Sequence, residues 1–462
     1  MSQTVHLSYE GDTALIEIDN PPVNALSQSV RAGIMAALDK AEANPAIKVI
    51  ALFGKGKVFI AGADIKEFGK PPQSPILPDV INRLERSKKA VIAAVHGVAL
   101  GGGLEVALGC HYRVALKETR LGLPEVKLGL LPGAGGTQRL PRLTGLAIAA
   151  EWITEGKLVD TETALSSGLI DAISDAPGAR ESALAAAQEW ADGKIRLRKT
   201  GELPNAPADE HAIASIRQTL LQQSPELYSP FRILEALEAS CTLPLEEGLR
   251  YERELFFDCM DSPQRAGLIH HFFASKAIGK IPGGESAATL TELRLSGNHP
   301  LVKALADHPL AQVSSGSTSG IEVHFTDAST EQEPGVINVQ LVDADADFTE
   351  PQAAFSLICI PDSTVLELVD HRGLAGVQQA LVKVLTGARF SVIPSKKQSL
   401  YGALSKATRS AEDRHAAMER SALMAVEAGL CYRPEDIDVL AIDALGYPKH
   451  LGGPHFQATL QK

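Results

Sequence analysis

The chain has 462 residues, 45% apolar and 22% charged, with a formal net charge of −12 at pH 7. That length exceeds one ordinary core and predicts roughly two to four domains; the composition indicates neither disorder nor a coiled coil. The acidic balance argues against nucleic acid or an anionic membrane surface as the main partner, and leaves a polyanionic small molecule open. The cysteines, Cys110, Cys241, Cys259, Cys359 and Cys431, are scattered without metal-ligand spacing and predict reduced thiols. No basic segment followed by an apolar core opens the chain, and the apolar run Val91–Cys110 is interrupted by His96, Glu105 and five glycines. The closing Thr-Leu-Gln-Lys does not read as a peroxisomal address. A cytoplasmic protein that does not span a membrane is therefore expected.

In chain order, Thr13–Asp19 alternates as a strand and Asn20-Pro-Pro22 ends it. Ser27 is placed to cap a helix whose apolar residues Val30, Ile34, Ala37, Leu38 and Ala41 share one face. Val49–Phe53 reads as a buried strand closed by the turn Gly54–Lys57, and Ala90–Val95 as another. The glycine triplet Gly101–Gly103 then opens a helix through Leu108. Asp160 caps a helix over Thr161–Ser167, and Gly168 stops it before a strand at Leu169–Ile173. These alternating units predict an α/β domain. Helical periodicity follows over Glu181–Ala191, His211–Gln222, Pro230–Ser240, Leu245–Cys259 and Gln264–Ala277, with Ile281–Glu285 as a linker. Beyond it, Ser314–Gly320 is rich in Ser and Gly, Val336–Val342 and Ala354–Ile360 read as strands, and residues 374–385 and 400–429 read as helices.

Two carboxylates stand out. Glu105 closes the run His96-Gly-Val-Ala-Leu-Gly-Gly-Gly-Leu-Glu105, and Glu125 closes Gly122-Leu-Pro-Glu125, shortly before Leu131-Pro-Gly-Ala-Gly-Gly-Thr-Gln138. A carboxylate among Val, Ala, Leu and Gly must be satisfied or used, since burying it unpaired is costly. Alone, Glu105 leaves a buried ion pair open as the lesser reading, and Glu125 would read as a loop charge. Together, beside glycines whose N–H groups a ligand can approach, they read as an acid/base pair facing an oxyanion site. The small residues of Phe59-Ile-Ala-Gly-Ala-Asp64 offer a second donor. His96 reads as a core or shell histidine, and Gly133-Ala-Gly-Gly136 is a weak nucleotide-loop signal because Gln138 replaces the third glycine.

Residues 1 to about 175 resemble the crotonase (enoyl-CoA hydratase/isomerase) family. The likeness lies in Asn24-Ala-Leu26, Ala61-Gly-Ala-Asp-Ile65, Gly97–Glu105, Pro124-Glu125 and Leu131–Leu140. It implies an oxyanion hole from the N–H groups of Ala63 and Gly102, and Glu105 and Glu125 as catalytic residues. Ala61, Asp64, Ile65, Lys66, Gly101, Pro132 and Gly133 would line the thioester site. Asp64 also reads as a structural cap, and Lys66, like Lys55 and Lys57, as a solvated lysine or a phosphate contact. Both glutamates being present favours hydration of a trans-2-enoyl-CoA. The alternatives are a double-bond isomerase or a non-catalytic acyl-CoA-binding scaffold for other β-oxidation enzymes.

The rest resembles the fatty-acid oxidation multifunctional enzymes, in which a hydratase precedes a 3-hydroxyacyl-CoA dehydrogenase. Ser229–Glu238, Leu243–Gly248 and Ser262–Gln264 carry the likeness of the helical linker, and Glu427–Gly429, Pro434–Asp438 and Gly446–Pro454 that of the dehydrogenase tail. No G-x-G-x-x-G follows a strand between Leu290 and Phe355, and the family's catalytic histidine has no counterpart in Phe355–Pro361. Asp370 is the nearest match to its glutamate. The expected fold class is α/β: a crotonase-like ββα spiral (1–190), a helical linker (191–285), a small degenerate α/β remnant (286–395) and a helical dehydrogenase-like segment (396–462). The resemblance implies an acyl-CoA thioester substrate, no metal, and no cofactor beyond the coenzyme A of that substrate, NAD not being expected. A separate 3-hydroxyacyl-CoA dehydrogenase or thiolase is the candidate partner, and a monomer or small homo-oligomer the expected state.

Overall fold

The computed structural model describes residues 4–67, 70–284, 288, 290–296, 300–306, 321–326, 336–343, 353–360, 363–409 and 411–460. The chain forms two compact units, Met1–Arg265 and Ala266–Lys462. No helix among the described residues is long and apolar enough to cross a membrane.

The first unit is built on strands β1 (Val5–Glu10), β2 (Thr13–Ile18), β3 (Val49–Gly54), β4 (Ala90–Val95), β5 (Val98–Leu100), β6 (Tyr112–Leu116), β7 (Arg120–Gly122), β8 (Leu158–Val159) and β9 (Ala172–Ser174). Six of them make one sheet in the order β1-β2-β3-β4-β6-β9, parallel except for β1 against β2. β3 and β4 are buried at every position, as the near-continuous apolar runs of a parallel sheet require. β5, β7 and β8 form a small second sheet. The helices are α1 (Gln28–Ala43), α2 (Leu77–Glu85), α3 (Gly102–Leu108), α4 (Gly136–Thr144), α5 (Leu146–Glu155), α6 (Thr161–Ser166), α7 (Ala179–Ala191), α8 (Glu210–Gln223), α9 (Ser229–Thr242) and α10 (Leu245–Asp261).

The expected apolar face of α1 is buried as read. Its cap differs: the Ser27 hydroxyl pairs with that of Ser29, and the Gln28 N–H donates to Glu67 Oε1 at 2.7 Å. Asp160 caps α6 as expected, accepting from the Thr163 N–H at 2.8 Å. The strand expected at Leu169–Ile173 lies instead at Ala172–Ser174. Leu169 and Ile170 are buried in the preceding turn, so their apolar character reflects packing and not a ladder.

Helix α11 (Gln264–Ala277) spans the division between the units. The second unit carries a six-stranded sheet in sequence order: β10 (Leu290–Leu295), β11 (Ile321–Thr326), β12 (Val336–Asp343), β13 (Phe355–Cys359), β14 (Val365–Asp370) and β15 (Ser391–Lys396). Only β13 and β14 pair antiparallel. Its helices are α12 (Pro300–Leu305), α13 (Ala375–Gly387), α14 (Leu400–Thr408), α15 (Arg414–Glu427), α16 (Pro434–Leu445) and α17 (Pro454–Leu460). The single helix expected over 400–429 is two, because Asp413 starts a new one by accepting from the Ala416 N–H at 3.0 Å. Ile281, expected in a linker, is buried, and its N–H donates to Gln379 Oε1 at 2.7 Å. Glu285 and Ser314–Gly320 lie outside the described residues.

Candidate active site

The site begins with the loop between β3 and α2. Asn24 sits at φ 53°, and its side-chain amide donates to the carbonyls of Lys55 and Val58 at 3.0 and 2.9 Å. That staple is the physical role of the Asn24-Ala-Leu26 motif. The loop is then tied to β5, since Phe59 N–H donates to His96 O and Leu100 N–H to Ile60 O, at 2.9 and 3.1 Å. Leu26 N–H donates to Gly62 O at 2.9 Å, and the Ala61 N–H is taken by Val23 O at 3.1 Å. Neither Ala63 nor Gly102 donates its N–H to any partner among the described residues. A Cβ on Gly102 would lie 3.4 Å from the Ala63 nitrogen and 2.7 Å from Leu77 Cδ2. The two open N–H groups are thus brought together, and only glycine leaves the second approachable.

Gly101, at φ 52°, turns β5 into α3, and its N–H donates to Gly122 O at 2.9 Å. A Cβ there would come within 2.9 Å of Glu125 Oε1. The same bend that opens the α3 N-terminus therefore receives the Glu125 carboxyl. Glu125 begins a short 3-10 turn (Glu125–Leu128), and its Oε2 is buried with no hydrogen-bond partner among the described residues. Burial, then repulsion from Glu105 and Glu252, pushes its carboxyl well above the ordinary carboxylate range.

Glu105, on α3, is 3% exposed. Its Oε1 accepts the N–H groups of Ala134 and Gly136 at 2.8 and 2.9 Å, at the start of α4. Burial raises its pKa, while the two N–H donors and the Arg139 and Arg253 guanidinium groups oppose that rise. Glu105 thus has anion-stabilising partners, a helix N-terminus among them; Glu125 has hardly any. α4 is itself anchored by buried Arg139, whose Nη2 donates to Glu85 Oε2 at 2.8 Å and to Asn82 Oδ1 at 2.9 Å.

Among the other expected residues, Asp64 is a turn cap, accepting from the Lys66 N–H at 3.0 Å. Lys66 is exposed, and Lys55 pairs with Asp19 at 2.8 Å. The Ile65 side chain lies outside the described residues. Pro132 packs 2.7 Å from where a Cβ of Gly136 would be. Gly133 has no room for a Cβ against the Phe256 ring, and its carbonyl accepts from Arg253 at 3.2 Å. His96 is buried with Nε2 3.2 Å from Gly56 O.

Glu252 and Arg253, on α10, are the residues that sequence reasoning missed. Glu252 is 1% exposed and accepts from the N–H groups of Gly135 and Thr137 and from the Thr137 hydroxyl. The available signal was spacing: Gly248, Glu252, Leu255 and Cys259 form the buried stripe of α10.

Residues 9–224 match the family described as enoyl-CoA hydratase/isomerase. A peroxisomal bifunctional enzyme of Danio rerio is 39% identical over 59% of this chain and 38% of its own length. Its Homo sapiens counterpart is 38% identical over 60% and 39%. A peroxisomal fatty acid beta-oxidation multifunctional protein of Arabidopsis thaliana is 36% identical over 60% and 40%. The chain therefore spans about two fifths of the length of these curated relatives. Their names place them in peroxisomes, which lends no support to the cytoplasmic location expected from the sequence. A solved enoyl-CoA hydratase from Bacillus anthracis is 26% identical over 59% of this chain and 96% of its own, with a TM-score of 0.39.

Proposed function

Residues 9–224 belong to the enoyl-CoA hydratase/isomerase family, and on that premise we propose that this chain hydrates a trans-2-enoyl-CoA to a 3-hydroxyacyl-CoA. The enoyl thioester oxygen sits between the N–H groups of Ala63 and Gly102. Glu105, as the carboxylate, takes a proton from water while the water oxygen bonds to C3. The π electrons pass to the thioester oxygen as an enolate, which the two N–H groups stabilise. Glu125, as the acid, gives its proton to C2 when the enolate collapses. Proton transfer from Glu105 back to Glu125 completes the addition of one water.

The chemistry needs a base and an acid side by side, and the environments push the pair apart in that sense. The observation that carries this reading is the contrast between Glu105, held by two N–H groups, and Glu125, whose buried Oε2 has no partner among the described residues. The test is product analysis across short, medium and ring-bearing enoyl-CoAs. A product heavier by one water supports hydration; no change with any substrate supports a non-catalytic acyl-CoA scaffold. Glu125 with its open oxygen also suits a one-residue proton shuttle, and conversion of a 3-enoyl-CoA to the 2-enoyl isomer would favour that second reading.

The chemistry is assigned to residues 1–190, with 191–285 supporting it as helices. Residues 286–395 and 396–462 are taken as a dehydrogenase remnant without NAD chemistry. The absence of a glycine fingerprint after any strand between Leu290 and Phe355 supports this. NADH formation from a 3-hydroxyacyl-CoA by the purified chain would refute it. On this reading a separate 3-hydroxyacyl-CoA dehydrogenase, using NAD as oxidant, takes the product to the 3-ketoacyl-CoA that a thiolase can cleave.

A further inference from the structure

At the start of α4, four successive N–H groups go to two carboxylates in alternation. Ala134 and Gly136 donate to Glu105 Oε1 at 2.8 and 2.9 Å. Gly135 donates to Glu252 Oε1 at 2.6 Å and Thr137 to Glu252 Oε2 at 2.9 Å. The Thr137 hydroxyl adds a bond to Glu252 Oε2 at 2.6 Å. The next residue on α10 grips the other side of the same turn: Arg253 donates to Gly133 O at 3.2 Å, and its guanidinium lies 4.9 and 4.5 Å from the Phe256 and Phe257 ring centres.

A neutral Ser, Thr or Asn caps a helix N-terminus without bringing a second acid beside a buried one. Glu252 is the costlier choice. Burial and repulsion from Glu105 push its carboxyl up to about 8, against its three hydrogen bonds. That cost points to a consequence at Glu105 beyond capping.

Resting on the hydratase reading, we propose that Glu252 is a positioning residue for Glu105. By holding Gly135 and Thr137 it fixes the roll of the turn, so that Ala134 and Gly136 both pin Oε1 of Glu105 and its Oε2 stays free for the water that adds to C3. It touches neither substrate nor reacting atoms. Its effect falls on turnover and not on acyl-CoA binding, since a misplaced base lowers the rate of water addition while the thioester still binds.

The test uses the full chain and steady-state hydration. Glu252→Gln keeps the volume but turns an amide NH2 toward N–H donors. It is expected to lower kcat about 10–100-fold while KM stays within about twofold and unfolding stays cooperative. Thr137→Val removes one of the three bonds and is expected to lower kcat several-fold, with no added loss in the double variant. Unchanged kcat in both variants overturns the proposal, as does a rise in KM that matches the fall in kcat. Should Glu252→Gln fail to fold, Thr137→Val decides, and an unchanged kcat there overturns it. A wild-type chain that hydrates no enoyl-CoA overturns the hydratase reading and this inference with it, which a silent variant of an active wild type does not.

Discussion

Each unit buries a glutamate against a helix N-terminus, and the two are satisfied differently. In the second unit, Glu367 on β14 has both oxygens filled at the start of α14. Ser395 and Ser399 donate their hydroxyls at 2.6 and 2.7 Å, and Leu400 and Tyr401 their N–H groups at 2.6 and 3.1 Å. In the first unit, the α4 N-terminus occupies one oxygen of Glu105, and the neighbouring Glu125 keeps a buried oxygen unpartnered among the described residues. Burial raises the pKa of all three carboxyls, so a raised pKa alone does not separate a structural acid from a working one. Open lone pairs do. A saturated carboxylate caps a helix, whereas one with a vacant oxygen can give and take a proton.

The strongest way to break this comparison is to neutralise the proposed acid/base pair. Glu105→Gln and Glu125→Gln are each expected to lower kcat for hydration by about 10²–10⁴-fold with acyl-CoA binding retained, measured by enoyl thioester absorbance and titration calorimetry. Near-normal turnover in either would reverse the assigned roles. Next comes Gly101→Ala. A Cβ 2.9 Å from Glu125 Oε1, on backbone at φ 52°, should displace that carboxyl and lower kcat about 10-fold or more, at a stability cost of roughly 1–2 kcal/mol. Glu367→Gln should do the opposite: turnover within about twofold of wild type, and a loss of about 1–3 kcal/mol in the second unit, read by denaturant unfolding.

The smallest effect is in the pH dependence of stability. The Glu252 carboxyl is raised from an ordinary 4.5 to about 8 in the folded chain. The folded state therefore binds more protons than the unfolded one between those values, and stability falls as pH rises through that window. Glu105 and Glu125 are raised as well and act in the same sense. The melting temperature should thus decline from about pH 5 to pH 8, and decline less in Glu252→Gln, by a few degrees across the window. Equal slopes in the two proteins would remove Glu252 from the account.

How much of this was legible in the sequence depended on range. The glycine triplet, the two glutamates and the strand-helix alternation are local signals, and the structure brings Glu125 beside Gly101 and within electrostatic reach of Glu105. Glu252 is distant in sequence and reaches the site only because α10 packs on α4, so no motif announced it. The short strands β5, β7 and β8 carry too few residues for a period to show. In the second unit, β14 reads Val-Leu-Glu-Leu-Val-Asp with all six residues buried, because Glu367 is consumed in capping α14. β15 carries Pro394, which argues against a strand; β15 stands at the end of the sheet order, where a missing N–H costs little.

Proton exchange at C2 of a saturated acyl-CoA tests the role of Glu125 most directly, because it needs the oxyanion site and the shuttle but no added water. Followed by NMR in deuterated buffer, exchange should occur in the wild type, persist in Glu105→Gln and vanish in Glu125→Gln. Exchange that survives in Glu125→Gln, or that disappears only in Glu105→Gln, would contradict the account.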